Sequence, residues 1–375
     1  VRRERATPRP DWRARVESVG LPHHTGADGA AYWDESHCYV LSMDEVETLE
    51  AATAELHRLC LDAAGHVIRE RRWDELAIPR AVVPLIEASW AAAEPTLYGR
   101  FDLAVDQRGA PKLLEYNADT PTSLVEAAVA QWYWLQDVAP RDDQFNSLHE
   151  RLVDAWRALA LPPLVHFAAL DDAEDQATVE YLRDTAQQAG LATHPLLVAD
   201  VGWDDARQRF VDDADRPIDA AFKLYPWEWM AREEYAAHLV AAAARTRWVE
   251  PPWRMVLSNK GILAVLWELF PDHPNLLPAY FDHARLEAYA RKPLLSREGA
   301  NVSLVMFGQT LAESRGDYGE EGFVYQALAP LPAFDGASAV VGSWVVAGEP
   351  AGVGIRESDG PITGNASRFV PHRIG

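Results

Sequence analysis

Four polar side chains alternate in two short stretches, Arg100 and Asp102 in YGRFDLAVD (98–106) and Glu115 and Asn117 in LLEYN (113–117). Each stretch reads as a strand, because apolar residues fill the positions between the polar ones. The DQRG segment (106–109) is polar and predicts the turn that joins them. With that turn, Arg100 falls opposite Glu115, and Asp102 lies one pair nearer the turn. Strand side chains repeat every two residues, so all four share one face. Asp, Glu and Asn supply hard oxygen donors suited to Mg²⁺, and Arg offers a planar fork to phosphate or carboxylate. The set admits a phosphoryl-transfer centre. A solvent-facing hairpin with cross-strand ion pairs fits the same four residues.

A nucleoside triphosphate such as ATP needs positive charge and backbone donors around its tail. Lys260 in SNKGIL and Lys292 in ARKPLL are candidates, and Lys292 is the stronger because it introduces a strand and a polar loop. Taken singly, each lysine also fits a solvated position. The loop SREGAN (296–301) offers Ser296 and backbone N–H groups as donors, and Gly299 permits close backbone approach. No GxxxxGK[ST] pattern occurs, so the expected phosphate cover is not a P-loop.

These residues must be positioned by a large core, which 375 residues with 48% hydrophobic composition can supply. The net charge of −22 disfavours a broad nucleic-acid surface and suits a cationic partner better. Cys38 and Cys60 give neither a disulfide framework nor a four-ligand zinc pattern. No apolar run reaches the roughly 18 residues of a membrane span. The start VRRERATPRPDW lacks the apolar core of a signal peptide, so no membrane association and a cytoplasmic location are expected.

Along the chain, the first dozen residues read as a loose basic lead-in. A Ser cap, early acids and apolar periodicity predict a helix over 42–68, and a second is expected over 81–94. SLVEAAVAQWYWLQDV (123–138) predicts a helix whose aromatic residues cover a sheet. LPPLVHFAAL and ATHPLLVADV contain strands on either side of a helical segment, which suggests an α/β subdomain with a crossover. The fold class expected is therefore α/β, with α+β subdomains.

EYNADTPTSLVEA, WYWLQD, EPPWRMVLSNKGILAVLWELFPDHPNLLPA, KPLLSREGANVS and ITGNASRFVPH, in this order, resemble the segments of the glutathionylspermidine synthase-like family, especially its stand-alone synthetase-domain members. The resemblance begins near YWDES (32–36) and covers nearly the rest of the chain. It implies an ATP-grasp fold and ATP-dependent ligation of a small-molecule carboxylate to an amine through an acyl phosphate. By motif it places Asp102, Glu115 and Asn117 on Mg²⁺, Arg100 at the reacting groups, and Lys260 and Lys292 on the nucleotide phosphates.

The same resemblance assigns Arg356 in GIRES to the transferred phosphate, and Gln326 in FVYQALAPLPAFDG (323–336) to the adenine pocket. KLYPWEWM (223–230) corresponds to a segment near the acceptor side, where Glu228 is a candidate for holding a cationic amine between Trp227 and Trp229. The organisation expected is a lead-in over 1–30 and an ATP-grasp catalytic unit over 31–375. Within it lie an inner α/β subdomain at about 160–225 and a nucleotide-binding region at about 255–358. Glutathione and a polyamine are one substrate pair the resemblance suggests. An Mg-ATP-binding regulatory protein and a small-molecule kinase are the alternatives.

Overall fold

The computed structural model describes residues 1–375 apart from 27–28, 106–108, 330, 335 and 365–366. Its central sheet runs Arg368–Val370, Glu349–Ser358, Ala337–Val346, Tyr98–Val105, Pro111–Asn117, each strand antiparallel to its neighbour. Alternation along Tyr98–Val105 sends Phe101 and Leu103 into a core shared with Leu49, Leu56 and Leu59 of the helix Met43–Glu70. Arg100 and Asp102 therefore face the other way. The helix begins at a reciprocal cap, with Ser42 Oγ accepting from the Glu45 N–H and Glu45 accepting from the Ser42 N–H.

The expected register is corrected. Arg100 pairs with Asn117 and Asp102 with Glu115, and the ladder slips between Asp102 and Leu103, where Leu114 is an extra residue. Nearer the connection, Val105 pairs with Pro111, one residue beyond the expected register. Residues 106–108 of the predicted turn lie outside the described residues. A single one-residue shift reverses a strand's face, whereas the two shifts here add to two and keep all four polar side chains together.

A second antiparallel sheet orders Ala279–Tyr280, Phe323–Ala327, Ala288–Pro293, Ser303–Met306 and Gln309–Glu313. It carries Lys292 and Gln326. A third sheet is parallel, in the order Arg247–Val249, Ala220–Leu224, Leu164–Ala169, Ala192–Leu197, with Ala173–Gln188 as a crossover helix. Its edge strand Arg247–Val249 lies beyond residue 225.

The loose lead-in is also corrected. Arg2–Arg5 is a strand antiparallel to His37–Leu41, which on its other edge pairs in parallel with His372–Ile374. Arg3 lies 2.5 Å from Glu357, and Arg9 lies 2.6 Å from Glu35. Both carboxylates are buried and need a counter-charge, which the early arginines provide.

The segment expected as one regular helix over 123–138 contains a π-turn at Glu126–Ala130 before the α-helix Gln131–Val138. The inserted residue re-phases the helix, so Trp134 is buried while Trp132 and Tyr133 are exposed rather than covering a sheet. Gln131 turns inward and donates to the Ala127 and Val353 carbonyls at 2.6 and 2.8 Å. Among the described residues no helix is long and apolar enough to cross a membrane.

Candidate active site

The central and second sheets enclose a cavity of about 950 Å³ lined by Arg100, Asp102, Glu115, Asn117, Lys260 and Lys292, together with Gln326, Gly299 and Arg356. Sequence positions more than 250 residues apart therefore meet at one site. On its central-sheet floor, Arg100 Nε lies 2.7 Å from Asp102 Oδ1, and its Nη1 donates to the Thr122 carbonyl at 2.6 Å. Arg356 Nη2 reaches the other Asp102 oxygen at 2.6 Å. Asn117 donates to Glu115 Oε1 at 3.1 Å, leaving its amide oxygen as the atom able to ligate.

Lys260 Nζ lies 3.0 Å from Glu115 Oε2. Burial opposes a charge on Glu115, but the Lys260 and Lys292 ammonium groups overcome that and hold its carboxyl well below the usual range. Burial in turn pushes the Lys292 ammonium down to about 8, against the raising influence of Glu115. Lys292 Nζ donates to the Leu114 carbonyl at 2.8 Å and to Gln326 Oε1 at 2.7 Å. Gln326 Nε2 donates to the Leu113 carbonyl at 2.8 Å. Both acceptors lie on the edge strand Pro111–Asn117, whose Leu113 and Leu114 carbonyls hold two side chains from the opposite sheet.

Two predicted residues sit elsewhere. Ser296 is buried outside the lining; its hydroxyl donates to the Pro293 carbonyl at 3.3 Å and its own carbonyl accepts from Lys260. It orients a lysine rather than presenting a donor to phosphate. Glu228 is also buried outside the lining, with its carboxylate 2.7 Å from Arg297 Nη2. That pairing answers its charge within the protein. Trp227 is a core residue whose indole N–H donates to the Glu250 carbonyl at 3.1 Å, whereas Trp229 reaches the cavity.

Arg297 ties the SREGAN loop to two other elements, through Glu228 and through Thr120 Oγ1 at 2.7 Å. Gly299 has φ +68°, and a Cβ there would lie 2.5 Å from the Thr363 carbonyl oxygen. Glycine is required for that close packing.

Sequence reasoning missed the cavity's acidic wall, formed by Asp172, Glu174, Asp175 and Glu298. Burial, with Asp172, Glu174 and Glu298 as like-charged neighbours, pushes Asp175 up to about 7. Burial and Glu126 raise Glu174 as well. The only signal was the DDAED run, which reads equally well as a helix start. Asp172 does cap that helix, accepting from the Glu174 N–H at 2.9 Å. Arg254 was missed too: it is buried and holds the backbone beside the site, donating to the Ala118 and Tyr98 carbonyls at 2.7 and 2.9 Å.

The donor chemistry of Asp102, Glu115 and Asn117 fits a hard divalent cation, since three oxygen-bearing side chains converge with no thiol or imidazole among them.

The whole arrangement is that of an ATP-grasp-like α/β enzyme, and residues 3–375 match the glutathionylspermidine synthase preATP-grasp family. The chain belongs to that family. It is 42% identical to a Haemophilus influenzae protein provisionally named an acid–amine ligase, across 97% of each chain. It is 30% identical to trypanothione synthetase of Crithidia fasciculata over 85% of this chain and 54% of that protein. It is 29% identical to the bifunctional glutathionylspermidine synthetase/amidase of Escherichia coli over 90% of this chain and 59% of that protein. The chain is an ATP-dependent carbon–nitrogen ligase. The family match begins at residue 3, ahead of the residue 31 at which the unit was expected to start.

Proposed function

We propose that this chain activates a small-molecule carboxylate with ATP and joins it to a cationic amine. One observation carries the reading: a single cavity gathers oxygen ligands, five cationic side chains (Arg100, Lys260, Lys292, Arg297 and Arg356) and an acidic wall. Lys260 and Lys292 hold the nucleotide phosphates, with Gln326 beside the base. Asp102, Glu115 and Asn117 would hold Mg²⁺, which would supply positive charge against that of the phosphates.

The substrate carboxylate oxygen attacks the γ-phosphorus, the bond to the β-phosphate oxygen breaks, and ADP leaves. Arg100 and Arg356 stand where negative charge is exchanged between carboxylate and phosphate. The neutral amine then attacks the acyl carbon, phosphate departs, and an amide remains. The acidic wall receives the amine as its ammonium form, and Asp175, near 7, has a proton affinity suited to accepting the proton that must leave before attack. The SREGAN loop, anchored through Arg297, shields the acyl phosphate from water.

A peptide carboxylate such as glutathione and a polyamine form the first substrate pair to test, because two relatives are named for such products. The experiment measures ADP release with Mg-ATP across paired carboxylates and amines, with mass spectrometry of the products. One amide per ADP supports the reading. A stable phosphorylated product without an amine requirement makes the chain a kinase. Tight Mg-ATP binding with no turnover on any pair leaves a nucleotide-binding protein.

A further inference from the structure

A second cluster of ligating side chains lies on the parallel sheet, and none of its members lines the cavity. His166 on Leu164–Ala169 and His194 on Ala192–Leu197 stand in register on neighbouring strands, their ring centres 5.4 Å apart. Residues in register on adjacent strands project to the same side. Asp212 and Asp213 follow the strand Arg209–Val211. Asp212 Oδ1 accepts the backbone N–H groups of Ala214 and Arg216 at 3.0 and 2.9 Å. Its Oδ2 is thereby set 3.1 Å from His166 Nε2 and 3.9 Å from His194 Nε2. Asp213 Oδ1 lies 3.0 Å from His194 Nε2.

One imidazole nitrogen, of His194, and two carboxylate oxygens, of Asp212 and Asp213, therefore stand within 4.8 Å of one another, with the buried His166 Nε2 beside Asp212. Zinc binds both atom types at about 2.0–2.2 Å, which places tetrahedral ligand atoms about 3.4 Å apart. The separations of His194 Nε2 from Asp213 and Asp212, 3.0 and 3.9 Å, bracket that value. His166 is buried, and its Nδ1 has no hydrogen-bond partner among the described residues, so the ring is held only by the nitrogen that faces the cluster.

We propose that His194, Asp212 and Asp213 bind one transition-metal ion of the zinc class, with His166 orienting Asp212, pinning the turn after Arg209–Val211 to the parallel sheet. Arg216 is the competing cation. Its Nε lies 2.7 Å from Asp212 Oδ2 and its Nη2 lies 3.2 Å from each ring nitrogen of His194. Half of its side-chain surface is open to solvent, so it can swing away while the three ligands stay in place. A metal and the guanidinium exclude one another.

The test uses the full chain carrying Glu115→Gln, which weakens the active-site cation site, and Co²⁺ as the probe. Visible absorption reports four-coordinate cobalt, and Zn²⁺ is added to displace it. One cobalt per chain is expected, with binding weakened about 100-fold or more by His194→Gln or Asp213→Asn. Arg216→Gln is expected to tighten it. In the Glu115 background, unchanged ADP release by the same three substitutions shows that the chains remain folded. Equal cobalt spectra in the parent and in both ligand variants overturn the proposal, as does a dissociation constant weaker than about 1 mM for every chain. Because ADP release is scored separately, failure here leaves the ligase reading intact.

Discussion

Glu115 is paired with Lys260, lies in the field of Lys292 and accepts from Asn117. Glu115→Gln is expected to lower kcat for amide formation about 100-fold or more, the scale of a lost ligand or charge-stabilising group. Near-ultraviolet circular dichroism should retain its folded signal; loss of that signal together with activity assigns Glu115 to stability instead. Asp175 gives a pH prediction of two signs. Its folded value is about 7, against about 3.9 in an unfolded chain. Between these values the folded chain keeps a proton the unfolded chain has lost, so stability falls as pH rises through this window. Asp175→Asn is therefore expected to raise the melting temperature at pH 8, with the gain shrinking towards zero near pH 4. For catalysis the charged form is the useful one. The KM for the amine should rise as pH drops below 7 in the parent and be flat in the variant; parallel profiles reject the assignment.

At the scale of elements, the Leu114 bulge separates what could be read from what could not. Types and alternation placed Arg100, Asp102, Glu115 and Asn117 on one face, because the period of a strand is local information. The partner of each residue was not local, since it depends on where the chain turns and on one inserted residue. The pairing of Glu228 with Arg297 was hidden for the same reason: 69 positions separate them. Lys292 was legible as a cation, but its anchor on the Leu114 carbonyl was not. Deleting Leu114 is expected to preserve the Asp102–Glu115 pairing while removing that anchor. The KM for ATP should rise about tenfold, the scale of a hydrogen bond to a charged group. Inactivity with a lost fold shows that the bulge is needed for the sheet itself. Truncating Leu56, buried in the long helix against this sheet, should destabilise the chain by about 2–5 kcal/mol in urea unfolding.

Across the whole molecule, residues from three sheets line one cavity, so in the proposed reaction coupling is expected to depend on how the SREGAN loop seats. Gly299→Ala places a methyl group against the Thr363 carbonyl at a positive φ and should lift SREGAN from the segment at 361–363. More than one ADP per amide is then expected, measured by parallel nucleotide and product assays; a ratio still at one removes the loop from water exclusion. The internal pairing of the cavity has one more consequence. The carboxylates offered to a metal are already matched by the arginines and lysine offered to phosphate, Asp102 with Arg100 and Arg356, Glu115 with Lys260. A divalent cation entering alone strands those bases, and a nucleotide entering alone strands the acids. When both enter, each protein charge exchanges one partner for another of the same sign. On the proposed reading, metal and nucleotide are expected to be thermodynamically linked ligands, each strengthening the other's binding by the same factor.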